Sequence, residues 1–173
     1  MRILGIDPGL NITGYGCIDA ADGHIDLVEA GVFRLGAKPA RSTLKVPIPR
    51  TVASVSSRLV ELDRDLRDLL ERVKPEVVAV ESLFAHYKHP ATAIVMGHAR
   101  GVMLLAIRRA GLELAEFKPA LVKKSMTGNG QARKDQMQRA VQSYFDLAEP
   151  PEPPDVADAL AIAICAARRL SLA

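Results

Sequence analysis

The sequence contains only two cysteines among its 173 residues, Cys17 and Cys165. Each lies in an apolar stretch, and the two are far apart in the chain. A zinc site or a disulfide framework requires several cysteines at short, regular spacings. Their scarcity argues against both kinds of site, and we expect two buried free thiols.

Long hydrophobic runs are also missing. No apolar run approaches the roughly 20 residues needed to cross a bilayer. The first residues, Met1-Arg2-Ile3-Leu4-Gly5, lead directly into strand-like sequence and lack the architecture of a signal peptide. We therefore expect a cytoplasmic protein with no membrane association.

The chain has little excess of charge of either sign. The formal net charge is +3 and the pI is about 9.0, which does not by itself identify a nucleic-acid-binding protein. Hydrophobic residues make up 49% and charged residues 25% of the chain, a balance typical of a folded globular protein. The length predicts one domain spanning residues 1–173.

Apolar periodicity and turn residues predict an α/β fold. The predicted strands are residues 3–7, 13–18, 27–35, 77–81 and 112–117. The predicted helices are residues 52–73, 91–109, 119–126, 134–145 and 155–170, and residues 37–50 are expected to form a loop. Short connections make the first three strands an antiparallel meander, with a hairpin at residues 19–23. The later strand–helix–strand order implies a right-handed crossover, hence parallel pairing and a mixed five-stranded sheet with helices on both faces.

Acidic residues lie at one end of each of three apolar elements, two predicted strands and one predicted helix. Asp7 closes the first strand, and Glu81 closes the buried strand Val-Val-Ala-Val-Glu. Asp155 and Asp158 are spaced i, i+3 at the start of the last helix, so they share one face. If the first and fourth strands are parallel neighbours, Asp7 and Glu81 emerge at the same edge of the sheet.

Four clustered carboxylates repel one another, so they must bind protons or cations. Oxygen ligands select Mg²⁺ or Mn²⁺ over zinc, and two such ions can promote phosphodiester hydrolysis. Each acid also has an ordinary structural interpretation: Asp7 as a turn residue, Asp155 as a helix cap, and Asp158 as a partner of the helix dipole. Glu81 is the hardest to explain in that way, because an isolated buried acid is unfavourable.

The chain resembles the RuvC family of Holliday junction resolvases over nearly its whole length and in the same order. The motifs that carry the resemblance are Gly5-Ile6-Asp7-Pro8-Gly9, Thr13-Gly14-Tyr15-Gly16, Glu81-x-x-Phe84, Gly97-x-Ala99-Arg100-Gly101 and Asp155-x-x-Asp158-Ala159-Leu160-Ala161. The resemblance implies a ribonuclease H-like fold and a homodimer that uses Mg²⁺ to make paired nicks in four-way junction DNA. It also implies a branch-migration helicase complex as a partner.

By the same resemblance, Asp7, Glu81, Asp155 and Asp158 are the catalytic, metal-binding acids. Phe84 is the aromatic residue that contacts DNA, and Lys123 and Lys134 are basic residues near the scissile strand. The helix carrying Gly97 to Gly101 forms the dimer. His98 and His89 depart from the family's usual residues, and the loop at residues 37–49 is longer than usual.

Other interpretations of these residues stay open. Phe84 could be a core residue, the basic residues between Lys118 and Arg139 could form a solvated face, and the helix at residues 91–109 could merely cover the sheet. For the whole chain, Gly-x-Asp-x-Gly also opens the ATPase fold of sugar kinases, but the second phosphate loop and the length of that fold are missing. A non-catalytic RNA-processing relative is a further alternative, which the complete set of four acids disfavours.

Overall fold

The computed structural model of the chain describes residues 1–36, 50–82 and 90–170, with the backbone alone for residues 50–53 and 90. Within these ranges the chain forms five strands and five helices. The strands are β1 (Arg2–Asp7), β2 (Ile12–Ala21), β3 (His24–Arg34), β4 (Val77–Glu81) and β5 (Glu113–Phe117). The helices are α1 (Arg50–Val73), α2 (Pro90–Arg109), α3 (Pro119–Thr127), α4 (Lys134–Tyr144) and α5 (Pro154–Leu170). The ten predicted elements are confirmed. Residues 37–49 of the predicted loop lie outside the described residues, and Arg50, predicted to end that loop, instead begins α1.

The strands form one mixed sheet in the order β3-β2-β1-β4-β5. β1, β2 and β3 pair antiparallel, and β1, β4 and β5 pair parallel. The predicted meander and the predicted parallel crossover are therefore both confirmed. β1 and β4 are the central strands, so the residues that follow them reach the middle of one sheet edge.

The β2–β3 hairpin is tighter than the sequence predicted. Strand pairing continues to Ala21 and His24, and only Asp22 and Gly23 form the turn. Both turn residues have positive φ, 51° and 81°, as a two-residue hairpin turn of type I′ requires. Because Asp-Gly satisfies that geometry, the flanking residues remain free to pair.

Helices cover both faces of the sheet, as predicted. On one face, Leu4, Ile6 and Val80 pack with α1 and α2. On the other face, Ile3 and Ala79 pack with α3, α4 and α5. Cys17 and Cys165 are buried and free, which confirms the expectation for the thiols.

Helix α5 lies directly on β1 and β2 because three strand residues are glycine. A Cβ atom at Gly5 would lie 2.2 Å from the carbonyl oxygen of Ala159, and one at Gly14 would lie 2.1 Å from that of Asp155. A Cβ atom at Gly16 would meet the Leu160 side chain. These three residues, the glycine track, therefore set how closely the start of α5 approaches the sheet.

Helix α2 has a covered face and an apolar outer face. Ala99, Met103 and Ile107 are buried, whereas Ile94 is 62% and Leu105 50% exposed. Gly97 and Gly101 lie on the exposed side, and a Cβ atom at either position would meet no atom within 4 Å. We call Ile94, Gly97, Gly101 and Leu105 the α2 outer face.

By length and composition alone, residues Ala91–Arg109 would suffice to cross a membrane, with a mean hydropathy of 1.2. The sequence predicted no such segment. One helix of this kind is weak support for a membrane span, because core helices of soluble proteins can be equally long and apolar.

Candidate active site

Strands β1 and β4 bring Asp7 and Glu81 to the same edge of the sheet. The parallel register runs from Ile3 opposite Val77 to Ile6 opposite Val80, and the two acids come one residue later. Alternation along each strand places them on the side of Ile3 and Ala79, which is the face covered by α5. The register of β1 and β4 therefore brings Asp7 and Glu81 together, as the sequence predicted.

Helix α5 begins beside these strand ends. Asp155 lies in its first turn, and its backbone rests against Gly14, which pairs with Asp7 across β1 and β2. Asp158 follows three residues later on the same helical face. The glycine track therefore brings the aspartate pair close to the strand acids.

One pocket of about 330 Å³ collects most of the predicted site. Asp7, Glu81 and Asp158 line it together with Lys123 and Lys134. Its remaining walls are largely apolar and come from Pro119, Val122, Met137 and Ile162. Asp155 does not line the pocket, although its charge acts on both Asp7 and Asp158.

The electrostatics of the pocket favour a cation. Burial, followed by the neighbouring charges of Asp158, Glu81 and Asp155, raises the pKa of Asp7 to about 8. Burial and the charge of Asp158 also raise the pKa of Glu81. Burial likewise raises the pKa of Asp158, and Lys134 and Lys123 offset part of that rise. Asp7 therefore holds its proton at neutral pH and can exchange it for a metal ion.

The donor set fits a hard divalent ion. The acidic donors that line the pocket are carboxylate oxygens, and carboxylates suit Mg²⁺ or Mn²⁺ better than zinc. Among the described residues, no group of three or more His, Cys, Asp or Glu side chains is close enough to hold an ion as the side chains stand. The acids therefore share a pocket rather than a finished coordination sphere, and binding requires rotation of their side chains.

Lys123 on α3 and Lys134 at the start of α4 reach the acids from a second direction. The positive charge of Lys134 offsets part of the rise in the pKa of Asp7, and that of Lys123 offsets part of the rise in the pKa of Glu81. The neighbouring basic residues Lys124 and Arg133 do not line the pocket. The structure thus separates two lysines of the pocket from the rest of the basic stretch. Phe84, the predicted DNA-contacting aromatic, lies outside the described residues, as does His89.

Two residues that hold the site in place belong to the family motifs, but the sequence assigned them no role in the site. Thr13 is fully buried, and its hydroxyl donates to the carbonyl of Gly9 and accepts from the amide of the same residue, which fixes the turn after Asp7. Arg100 on α2 donates from Nη1 to the carbonyl oxygen of Glu81 at 2.9 Å. Thr13 lies four residues after Gly9, so its closeness to the turn is visible in the sequence. Arg100 is 19 residues from Glu81, and only the fold brings the two together.

The raised pKa of Asp7 predicts how stability depends on pH. Between its ordinary value of 3.8 and about 8, the folded state holds a proton that the unfolded state releases. The unfolding free energy of the metal-free protein should therefore fall as the pH rises from about 5 to about 8. A divalent ion held by these acids would bind their ionised forms, so the stabilising effect of added Mg²⁺ should grow over the same range. Thermal melting in chelator and in Mg²⁺ measures both trends.

Asp7→Asn is the control for this prediction, because asparagine cannot titrate. Its metal-free melting temperature should depend less on pH than that of the wild type. A smaller dependence of the same sign should remain, since the pKa values of Glu81 and Asp158 are also raised. Parallel curves for the two proteins would contradict the assignment of the trend to Asp7.

Solved structures share this architecture. The structure of Thermus thermophilus RuvC in complex with Holliday junction substrate has a TM-score of 0.80 and 29% identity, with 99% of this chain and 96% of that chain covered. A mixed sheet in the order β3-β2-β1-β4-β5 with helices on both faces defines a protein of the ribonuclease H-like class. The family model described as "Crossover junction endodeoxyribonuclease RuvC" matches residues 3–166. The chain belongs to this RuvC family, whose members are divalent-metal-dependent nucleases.

Curated relatives agree over nearly the full chain. The crossover junction endodeoxyribonuclease RuvC of Rhodopirellula baltica is 44% identical over 163 residues, which are 94% of this chain and 84% of the relative. That of Moorella thermoacetica is 43% identical over 167 residues, 95% of this chain and 90% of the relative. The family and the fold that the sequence motifs indicated are thereby confirmed.

Proposed function

We propose that this protein resolves four-way DNA junctions by paired, Mg²⁺-dependent hydrolysis of phosphodiester bonds. The single observation that carries the proposal is the pocket at the central sheet edge. There Asp7, Glu81 and Asp158 face Lys123 and Lys134 in a chain of the RuvC family. The complex of the Thermus thermophilus relative with a Holliday junction supports the choice of substrate.

The proposed metal ligands are Asp7, Glu81, Asp155 and Asp158. Two Mg²⁺ ions bound there would supply an activated water and stabilise the leaving oxygen, and Mn²⁺ would substitute for Mg²⁺. The chain itself holds Asp7, Glu81 and Asp158 in one pocket whose other walls are largely apolar. Asp155 is included because its backbone rests against Gly14 and its charge acts on both Asp7 and Asp158.

Lys123 and Lys134 are proposed to bind the phosphates that flank the scissile bond. Both line the acid pocket, so a phosphate held by them would lie beside the carboxylates. Phe84 is proposed to stack on a base, a role that rests on its place three residues after Glu81 in the family motif.

The proposed active form is a homodimer that buries the α2 outer face. Its exposed Ile94 and Leu105 provide apolar area, and Gly97 and Gly101 allow close approach of a second helix. Val95 and Val102, which are also apolar residues of α2, contribute less area because both are already half-buried. We further propose that residues 1–173 act as one nuclease domain in the cytoplasm, together with a branch-migration helicase complex.

The test of the proposed function is cleavage of a synthetic four-way junction, with a linear duplex containing the same sequences as the control. In Mg²⁺ and without nucleotide, the protein should cut two opposing strands of the junction and leave the duplex intact. Equal cutting of both substrates would contradict junction specificity. A requirement for ATP would favour the ATPase alternative instead.

The two lysines of the pocket predict the salt dependence of binding. The logarithm of the association constant falls linearly with the logarithm of the salt concentration, with a slope of about one for each phosphate contact. Lys123→Gln and Lys134→Gln should each reduce that slope by about one, as measured by junction binding in chelator. Lys124→Gln is the matched control, since this exposed neighbour does not line the pocket. Equal slopes for all four proteins would mean that neither lysine of the pocket touches a phosphate.

A further inference from the structure

Arg100 occupies a position between the outer helix α2 and the candidate active site. Its side chain is only 12% exposed, although the next residue, Gly101, belongs to the α2 outer face. Nη1 donates to the carbonyl oxygen of Glu81 at 2.9 Å, and Nη2 pairs with Oε1 of Glu116 at 2.6 Å. One guanidinium thus joins α2 to the parallel strands β4 and β5.

The bond to Glu81 falls where the strand ends. The β4–β5 pairing reaches Glu81 opposite Phe117, and both the amide and the hydroxyl of Ser82 then donate to the carbonyl oxygen of Phe117. Beyond this point, the orientation of the Glu81 backbone depends on few groups among the described residues. Arg100 is one of them, and its fork shape lets it contact Glu81 and Glu116 at once.

We infer that Arg100 is a positioning residue that sets the orientation of Glu81 and transmits to it the placement of α2. The inference rests on the proposed function, because it requires Glu81 to be a metal ligand. Arg100 touches the backbone of Glu81 rather than its carboxylate, so it acts through Glu81. Arg100 lies beside the α2 outer face. A second subunit bound to that face would therefore contact the helix that carries this arginine.

The chain offers a matched control on the same two elements. Arg108 also lies on α2 and faces Glu113 of β5, but at 3.8 Å and with a side chain 75% exposed. It has no bond to Glu81 among the described residues. Arg108→Gln therefore removes a positive charge from the same helix without disturbing the strand end.

The experiment compares Arg100→Gln, Arg100→Lys and Arg108→Gln with the wild type. Arg100→Gln should lower the single-turnover rate of junction cleavage about tenfold and raise the Mg²⁺ concentration needed for half-maximal rate by a similar factor. The Mg²⁺ concentration at the midpoint of the thermal stabilisation, measured without DNA, should rise as well. Arg100→Lys should recover part of each loss, whereas Arg108→Gln should match the wild type. Junction affinity in chelator should stay unchanged throughout.

Several outcomes would overturn the inference. Wild-type rate and Mg²⁺ dependence in a folded Arg100→Gln protein would show that Glu81 needs no such support. A rate loss explained entirely by dissociation into monomers would assign Arg100 to the interface alone. If Arg100→Gln does not fold, Glu116→Gln takes its place, because it removes the anchor of Arg100 at a half-exposed residue, and the same Mg²⁺ shift is expected.

The proposed function is tested separately by Glu81→Gln. If that variant cleaves normally, the metal-site assignment fails, whatever Arg100 does. If Glu81→Gln abolishes cleavage and Arg100→Gln leaves it intact, the inference alone fails. The two results are therefore distinguishable.

Discussion

Replacement of Asp7 by asparagine should lower the rate of junction cleavage by about 10³-fold or more while leaving junction affinity nearly unchanged. Asp7 is the acid whose pKa is displaced furthest, to about 8, because it is buried among the other three carboxylates. Asparagine preserves the shape of the side chain but cannot provide the negative charge that a divalent ion requires. Affinity comes mainly from basic contacts with phosphate, which the substitution does not touch. Single-turnover cleavage in Mg²⁺ and binding in chelator measure the two quantities.

Asp26→Asn is the matched control for this variant. Asp26 is an exposed acid on β3 and does not line the pocket. The Asp26→Asn protein should cleave like the wild type. A loss of cleavage in Asp7→Asn alone then reports on the site rather than on net charge. An Asp7→Asn protein that nicks junctions at the wild-type rate would refute the assignment of the acid.

Introduction of a glutamate at Gly101 should produce folded monomers that no longer make paired nicks. The monomer has room for the new side chain, because a Cβ atom at Gly101 meets nothing within 4 Å. In a dimer joined through the α2 outer face, the same charge would be buried without a partner. A four-way junction has two-fold symmetry, and a two-fold dimer presents two identical sites to it. A monomer should therefore bind junctions more weakly and cut one strand at a time.

Sedimentation of the variant and of the wild type measures the oligomeric state, and strand-specific labelling of the junction measures paired nicking. Ser143→Glu, at an exposed position of α4, is the control for added charge and should remain dimeric. A wild-type protein that is monomeric at micromolar concentration and still makes paired cuts would contradict the proposed dimer.

The sequence predicted the parts of the fold that depend on local pattern. Val77 to Glu81 is apolar on both faces, which indicated a strand buried between two layers, and its acid indicated the active edge. Parallel pairing with β1 followed from the intervening helix, because crossovers of this kind are right-handed. Asp7 and Glu81 could therefore be placed together before any coordinates were known.

Other features depend on contacts between distant residues. The bond from Arg100 to Glu81 joins a helix to a strand end, and no periodicity within either element indicates it. The separation of Lys123 and Lys134 from Lys124 depends on how α3 and α4 turn toward α5, which the charge pattern alone does not determine. The absence of Asp155 from the lining of the pocket is likewise a detail of packing that the i, i+3 spacing does not determine.

The glycine track has a consequence for any attempt to make this enzyme more thermostable. Exchange of glycine for alanine often stabilises a protein, because the unfolded chain then has less conformational freedom to lose. At Gly5 and Gly14 the added methyl group would stand 2.2 Å and 2.1 Å from backbone oxygens of α5, far inside any tolerable contact. Relief of that overlap would push the helix outward and carry Asp155 and Asp158 away from Asp7. At these two positions alanine should therefore lower both stability and catalysis, and the placement of the carboxylates is encoded by residues that have no side chain.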